Sequence, residues 1–367
     1  MRGVLMATLS RFRGSLVGAV LGDCIGAIYE CEGNVKLKDV LKTVKDIETR
    51  YKELEDGKKL ELLPFTDDTA MARSVAASLI AKKGFDVKDM AKRFADEFRH
   101  EPDRGYGGSV GAVFIALRLN NPEDVFEPAR KQFDGQGSFG NGGAMRIAPA
   151  ALGCMKDGFE KLKTVTVDTS QITHSHPQAI QGAVLQSSAV DLALREDQSK
   201  QLDRERFLDR LIERIKPMEE EQLEKSKKEE KVSGSPKRKA KRVSDTVKMP
   251  YCHKLEKIKE FLQKDVSVSD IEEELGNDIS ALGSVPAAVY SFLKAYKEIP
   301  GIETDSAFER TIIYAISLGG DTDTIATMAA AMAGAYYGYE AIPQSWQASC
   351  EGVEDAKKFA QDLLELQ

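Results

Sequence analysis

Cysteine, histidine and strand-forming patterns are all scarce in this 367-residue chain, and each scarcity removes a class of function. The five cysteines (Cys24, Cys31, Cys154, Cys252 and Cys350) are odd in number, scattered, and form no CxxC pair. They exclude the disulfide framework of small secreted domains and fit a reduced intracellular compartment. The four histidines show no zinc-ligand spacing, and no Cys/His cluster exists. No G-x-S-x-G elbow occurs, so a serine hydrolase is unsupported. No uninterrupted apolar run reaches the ~18 residues of a membrane span, and no membrane partner is expected. Alternation of period two and β-branched clusters are nearly missing, which predicts almost no strand. An excess of basic charge is missing as well. The net charge of −7 argues against direct nucleic-acid binding by the whole surface.

What is present is a helical rhythm on an ordinary soluble composition, 42% apolar and 30% charged. The pattern predicts one compact all-α domain over residues 9–367, preceded by a short tail at 1–8. Arg2, Arg11 and Arg13 precede any acid, as in a transit leader. The core-helix pattern from Phe12 leaves only about ten residues for one, so no presequence is expected. Gly14, Gly18, Gly22 and Gly26 recur at i+4 after a cap at Ser10, giving one face that another helix can approach closely. Further helices are predicted at 70–83, 88–100, 111–119, 144–154, 159–169, 178–194, 255–262, 269–275 behind a Ser269 cap, 285–296 opened by Ser284, and 307–318. Residues 218–248 break the pattern as a charged, flexible insertion. It contains the acid-free basic run Lys237-Arg238-Lys239-Ala240-Lys241-Arg242, a candidate nuclear-import signal or a solvated loop.

Chemistry gathers at three acidic helix entrances. In Gly319-Gly320-Asp321-Thr322-Asp323-Thr324, two carboxylates lie two residues apart, a spacing that does not share a helix face. They converge only if the chain is still turning there, which the glycines allow. Thr66-Asp67-Asp68-Thr69 repeats the composition, with Thr66 as the N-cap. A core helix delivers Tyr29-Glu30-Cys31-Glu32 into a loop. Hard oxygen donors of this kind suit Mg²⁺, Ca²⁺ or Mn²⁺, and dense like charges need cations between them. Three independent helix caps would account for each stretch alone. The loop Gly135-Gln136-Gly137-Ser138-Phe139-Gly140-Asn141-Gly142-Gly143 formally matches a dinucleotide fingerprint, but no strand or βαβ unit surrounds it. Its backbone N–H groups would still make an anion cradle suited to a diphosphate, and Phe139 offers a stacking face. The cost of so many glycines in chain entropy favours a ligand there. Among the histidines His174 is the one of interest. His176 reads as part of a turn before Pro177, and His100 and His253 as solvent-facing.

These motifs resemble the ADP-ribosyl-acceptor hydrolases. The likeness rests on Gly22-Asp23-Cys24-Ile25-Gly26 with Tyr29-Glu30, Thr66-Asp67-Asp68-Thr69, the segment from Gly137 to Arg146, and Gly319-Gly320-Asp321-Thr322-Asp323-Thr324. The Tyr-Glu pair, the glycine loop and Ala335-Tyr336-Tyr337-Gly338 are most similar to the branch acting on serine-linked ADP-ribose. The resemblance implies an orthogonal all-α bundle with a binuclear Mg²⁺ site at helix N-termini. Glu30, Thr66, Asp67, Asp68, Asp321, Asp323 and Thr324 then match metal positions. Glu30 also matches the catalytic glutamate on a mobile flap, with Glu32 as the runner-up. Phe133, Gln136, Gly137, Ser138, Phe139, Gly140, Asn141, Gly142, His174 and Ile279, with Asp67, match ADP-ribose contacts. The implied activity is release of ADP-ribose from serine on proteins, exo-cleavage of poly(ADP-ribose) and hydrolysis of O-acetyl-ADP-ribose, reversing DNA-damage ADP-ribosylation. A monomer in nucleus and cytoplasm is expected, with the mitochondrial matrix as a further address. Two alternatives stand beside it: a catalytically silent ADP-ribose-binding member of the fold, and a two-metal phosphatase.

Overall fold

The glycines spaced by four in the first helix decide the centre of the fold. In the computed structural model, which describes residues 2–30, 32, 35–53, 60–120, 122–233 and 248–367, helix Arg2–Gly26 lies along helix Thr322–Tyr337. A Cβ at Gly14 would sit 2.3 Å from Gly334 O, at Gly18 2.5 Å from Ala330 O, and at Gly22 2.4 Å from Ala326 C. The two backbones occupy space that side chains would otherwise fill, and among the described residues this is the most extensive helix contact. Such closeness leaves carbonyls within reach of buried hydroxyls. Thr327 Oγ1 donates to Ala19 O at 3.3 Å, and Thr322 Oγ1 donates to Gly26 O at 2.9 Å.

Around this pair pack helices Ala307–Ser317, Ala281–Ala295 and Pro177–Arg195, while Val353–Leu364 covers the first helix from the other side. The inner helices are buried nearly all round. The outer ones are amphipathic: Leu37–Lys52 turns Val40, Val44 and Ile47 inward, at i, i+4 and i+7. Nineteen α-helices and one 3₁₀ turn are present among the described residues. No strand occurs among them; pairing is limited to isolated bridges such as Gly140 with Ser280. The expected all-α class is therefore what forms. Among the described residues no helix is long and apolar enough to cross a membrane. The four described cysteines, Cys24, Cys154, Cys252 and Cys350, are free and buried.

Several expectations change. The first helix begins at Arg2, so residues 2–8 are not a separate tail. Ser10 lies inside that helix; its hydroxyl donates to the Glu340 carboxylate and accepts from Tyr339 N. The charged stretch expected as a flexible insertion from Met218 instead continues helix Arg204–Ser233. Glu219 is buried there because its carboxylate accepts from the N–H groups of Tyr251 and Cys252, at 2.7 and 3.0 Å, at the start of helix Pro250–Phe261. The basic run 237–242 and Cys31 lie outside the described residues. Ser267, not Ser269, caps helix Val268–Glu274, through a capping box with Asp270. Ser280, not Ser284, opens Ala281–Ala295. Pro286 falls inside that helix and cannot donate to Leu282 O. The Lys254 ammonium fills the gap, donating to Leu282 O at 3.0 Å and to Leu275 O at 2.7 Å. Burial there pulls the Lys254 amine down to about 8.

Candidate functional site

The turn before helix Thr322–Tyr337 is left-handed at both glycines, with φ of 70° at Gly319 and 71° at Gly320. A Cβ at Gly320 would lie 2.0 Å from Asn277 O, so only glycine fits. Asn277 clasps this turn: its carbonyl accepts from Asp321 N at 2.8 Å and its side chain donates to Leu318 O at 2.9 Å. Asp321 then occupies the N-cap position without capping the helix. Its Oδ2 accepts from Asn141 Nδ2 at 2.5 Å instead. Asp321, Asp323 and Glu30 bring carboxylate oxygens within 4.8 Å of one another.

The second acidic entrance stands beside the first. Thr66 caps helix Asp67–Lys82, accepting from Asp68 N at 3.4 Å. Asp68 reaches across to Thr324, whose hydroxyl donates to its Oδ2 at 3.2 Å. Asp23 holds this turn from beneath. Fully buried, its carboxylate accepts from Thr66 N at 3.0 and 3.1 Å and from Thr69 N at 3.0 Å. Arg104 clamps the preceding residue, stacking over the Phe65 ring at 3.9 Å, donating to Phe65 O at 3.1 Å and making two bonds to Glu351. Glu30 is placed by its neighbour: the buried Tyr29 hydroxyl bonds Asp39 O at 2.8 Å and Thr43 Oγ1 at 2.6 Å on helix Leu37–Lys52.

A cleft of about 360 Å³ opens at these acids. Glu30, Asp67, Asp68, Asp321, Asp323 and Thr324 line it, as do Phe133, Ser138, Phe139, Gly140, Asn141, Gly142, His174 and Ile279. Thr66, Gln136, Gly137 and the alternative Glu32 are not in its wall. Phe133 and Phe139 rise at the rim, about half exposed, with ring centroids 6.4 Å apart and an interplanar angle of 35°. Phe133 and Asp134 take left-handed backbone, φ 51° and 56°, a strained state for residues with side chains. Ile279 is 71% exposed. Its turn is stitched to the glycine loop, Asn141 N donating to Ile279 O and Ala281 N to Phe139 O, both at 3.0 Å.

Packing explains most of that loop's glycines. A Cβ at Gly137 would meet Ser175 Oγ at 2.2 Å, at Gly142 His174 Cε1 at 2.6 Å, and at Gly143 Ser170 Oγ at 2.3 Å. Glycine density is therefore not in itself a sign of a ligand. A second glycine stretch contributes to the cleft as well. Gly105, Tyr106, Gly107, Gly108 and Ser109 also line the cleft, just ahead of helix Val110–Asn120. Sequence reasoning also gave no role to Asp23, Arg146 or Asn277. The glycine pairs and the position of Gly107-Gly108 before a helix were the available signal for the second loop. For Asp23 the signal was its place in Gly22-Asp23-Cys24-Ile25-Gly26, which said nothing of its partners.

Electrostatics separates this site from ordinary helix caps. Burial lifts the Asp67 carboxyl to about 7, with Asp23 and Asp321 adding to the shift. Burial, then Asp323, raises Asp68; burial, then Asp321, raises Asp323. Burial also raises Glu30, with Asp321 and Asp23 contributing. Asp68 Oδ1 and Asp323 Oδ1 are buried with no hydrogen-bond partner among the described residues. Unpartnered buried carboxylate oxygens are costly, and a cation satisfies them. The cluster thus has the donor set to hold a metal ion.

The ADP-ribosylglycohydrolase family profile matches residues 5–367. The chain is 45% identical over 363 residues to the ADP-ribosylhydrolase ARH3 of Bos taurus, covering 97% of this chain and 93% of that protein. The ARH3 proteins of Gallus gallus and Homo sapiens are 46% and 45% identical, each over 97% of this chain and 93% of their own. A solved structure titled ADP-ribosylglycohydrolase-related protein complex superposes with a TM-score of 0.64, covering 98% of this chain and 99% of that one, at 20% identity. That last likeness concerns the fold. The chain belongs to the ADP-ribosylglycohydrolase family and is a hydrolase of the glycosidase class.

Proposed function

We propose that this ADP-ribosylglycohydrolase removes ADP-ribose O-linked to serine on proteins, with two Mg²⁺ ions as cofactor. Exo-cleavage of poly(ADP-ribose) and hydrolysis of O-acetyl-ADP-ribose follow from the same bond chemistry. The observation that carries the reading is the convergence of Glu30, Asp321 and Asp323 in a cleft that also offers Phe133, Phe139 and Ile279. The aromatic rings suit a purine, and the carboxylates suit a ribose approached by cations. Asp67, Asp68, Asp321 and Asp323, with Glu30 and the hydroxyls of Thr66 and Thr324, are the residues that would hold the ions. When bound, Mg²⁺ supplies positive charge that orients ribose hydroxyls and a water.

The protein's own groups do the rest. Asn141 fixes the Asp321 carboxylate, Asp23 and Arg104 fix the Thr66–Asp68 turn, and Tyr29 fixes the base of Glu30. Hydrolysis breaks the bond from the anomeric ribose carbon to the serine oxygen through an oxocarbenium-like state. Water adds to that carbon, its proton leaves, and the serine oxygen gains one. Glu30 serves as the general acid/base; burial, with Asp321 and Asp23 beside it, raises its pKa above the ordinary glutamate value. The reading extends to a monomer in nucleus and cytoplasm, with the mitochondrial matrix as a further address, reversing ADP-ribosylation after DNA damage. The basic run at 237–242 supports the nuclear address.

The test is incubation with a serine-ADP-ribosylated peptide in Mg²⁺ or in EDTA, with the product identified by mass. Free ADP-ribose and unmodified peptide are expected in Mg²⁺, and neither in EDTA. Inorganic phosphate as product would point to a phosphatase. Binding of the peptide with no release would point to a silent member of the fold.

A further inference from the structure

His174 stands between the glycine loop and a buried arginine, and the bonds on its far side determine which nitrogen carries hydrogen. Arg146, fully buried over the Phe94 ring at 4.4 Å, donates through Nη2 to Thr169 O at 3.1 Å and to Thr173 Oγ1 at 2.6 Å. Thr173 Oγ1 in turn lies 2.7 Å from His174 Nδ1. A guanidinium only donates, so Thr173 receives a hydrogen from it. If His174 Nδ1 also carried hydrogen, the Thr173 hydroxyl would receive twice, and its own hydrogen would have no acceptor among the described residues. Thr173 is fully buried, and an unmade bond there costs about 1–3 kcal/mol. The arrangement that leaves nothing unpaired runs from Arg146 to Thr173 to His174 Nδ1 and puts the ring hydrogen on Nε2. His174 lines the cleft, and this nitrogen lies 3.0 Å from where a Cβ at Gly142 would stand and 3.4 Å from one at Gly140, two glycines that line it as well.

We propose that Arg146 and Thr173 are positioning residues that lock His174 as the Nε2–H tautomer, making it a neutral hydrogen-bond donor to an oxygen of bound ADP-ribose. The ligand named here rests on the functional reading above; the tautomer does not. Burial, with Arg146 beside it, holds the imidazole neutral down to about 3, in keeping with a donor that carries no charge. A neutral donor with a fixed hydrogen favours a ligand oxygen without competing with cations held by the carboxylates. Thr173 does not line the cleft and Arg146 borders it, and neither has to touch the ligand for this to work.

Four histidines make the experiment tractable in the full chain. With ¹⁵N-labelled histidine, two-bond ¹H–¹⁵N correlations in ligand-free protein read each tautomer directly. His176 Nδ1 accepts from Gln178 N at 3.2 Å and should also be protonated on Nε2, so the His174 signals are assigned by their loss in His174→Gln; in the wild type they should show Nε2 alone protonated, unchanged between pH 5 and 8. Thr173→Val should yield mixed tautomers and ADP-ribose binding ~10-fold weaker by calorimetry, the value of one neutral hydrogen bond. Its turnover defect should fall on KM more than on kcat. Thr173→Ser, which keeps the hydroxyl, should restore both the spectrum and the affinity. A wild-type His174 protonated on Nδ1 overturns the proposal, whether or not Thr173→Val folds. So does a folded Thr173→Val with unaltered tautomer and affinity. Failure of the wild type to bind ADP-ribose would instead overturn the functional reading, and the ligand-free spectrum tells the two failures apart.

Discussion

Asp321 sits at the N-cap of a helix and leaves the cap unfilled. A capping aspartate is worth about 1 kcal/mol, so the residue forgoes stability to face the cleft. Thr66 does the opposite and caps, leaving Asp67 and Asp68 free for the site. Glu30, the exposed member of the cluster, is the residue whose loss should separate binding from chemistry. Glu30→Ala is expected to keep ADP-ribose affinity within about threefold and to lower kcat by ~10²–10⁴, the usual share of a general acid/base. Release of serine at the wild-type rate by that variant would remove Glu30 from the mechanism. At this scale much was legible. Two acids two apart behind a glycine pair forced a turn, and the turn is there. Asp23 was not legible, because its partners are backbone N–H groups of another helix entrance, brought close only by the fold.

Among the elements, the crossing of Arg2–Gly26 with Thr322–Tyr337 carries the most geometry. Gly22→Val would drive a branched side chain into the Ala326–Thr327 backbone, which cannot rotate away. Overpacking of this kind should cost about 3 kcal/mol, read as a lower denaturant midpoint, whereas Gly107→Ala meets open space and should change little. The i+4 glycine spacing announced this contact before any coordinates, since few other patterns bring two backbones together. Helix starts were harder to read. Both Ser267 and Ser269 are acceptable caps, and Asp270 decides between them by closing the capping box on Ser267. Pro286 disguised the true start at Ser280, because Lys254 supplies the bond that proline withholds. The glycine loop misled in another way: its small residues answer to Ser170, His174 and Ser175 behind it, a demand set by distant sequence.

For the molecule as a whole, the clustered carboxyls couple stability to pH. Their pKa values in the folded, cation-free protein lie above the unfolded value of ordinary aspartate, so the folded state binds more protons than the unfolded one. Stability is then greatest below the unfolded pKa and falls as pH rises through about 7 and above. His174 is depressed and acts in the other direction, but only below its unfolded value of 6.5. Thermal melts of EDTA-treated protein should therefore fall between pH 6.5 and 8.5. Added Mg²⁺ should raise the Tm more at pH 8.5 than at 6.5, because cations replace the protons the acids no longer hold. An increment independent of pH would count against the cluster as the binding site. The glycine crossing also has a mechanical consequence. It brings Gly26 so near Asp323 that a Cβ would lie 2.5 Å from the Asp323 Cα. The helix carrying the glutamate and the helix carrying the aspartates therefore behave as one lever with no play at that end. Any swing of Glu30 toward or away from Asp321 and Asp323 must pivot within the four residues Ala27-Ile28-Tyr29-Glu30, with Tyr29 as the fulcrum.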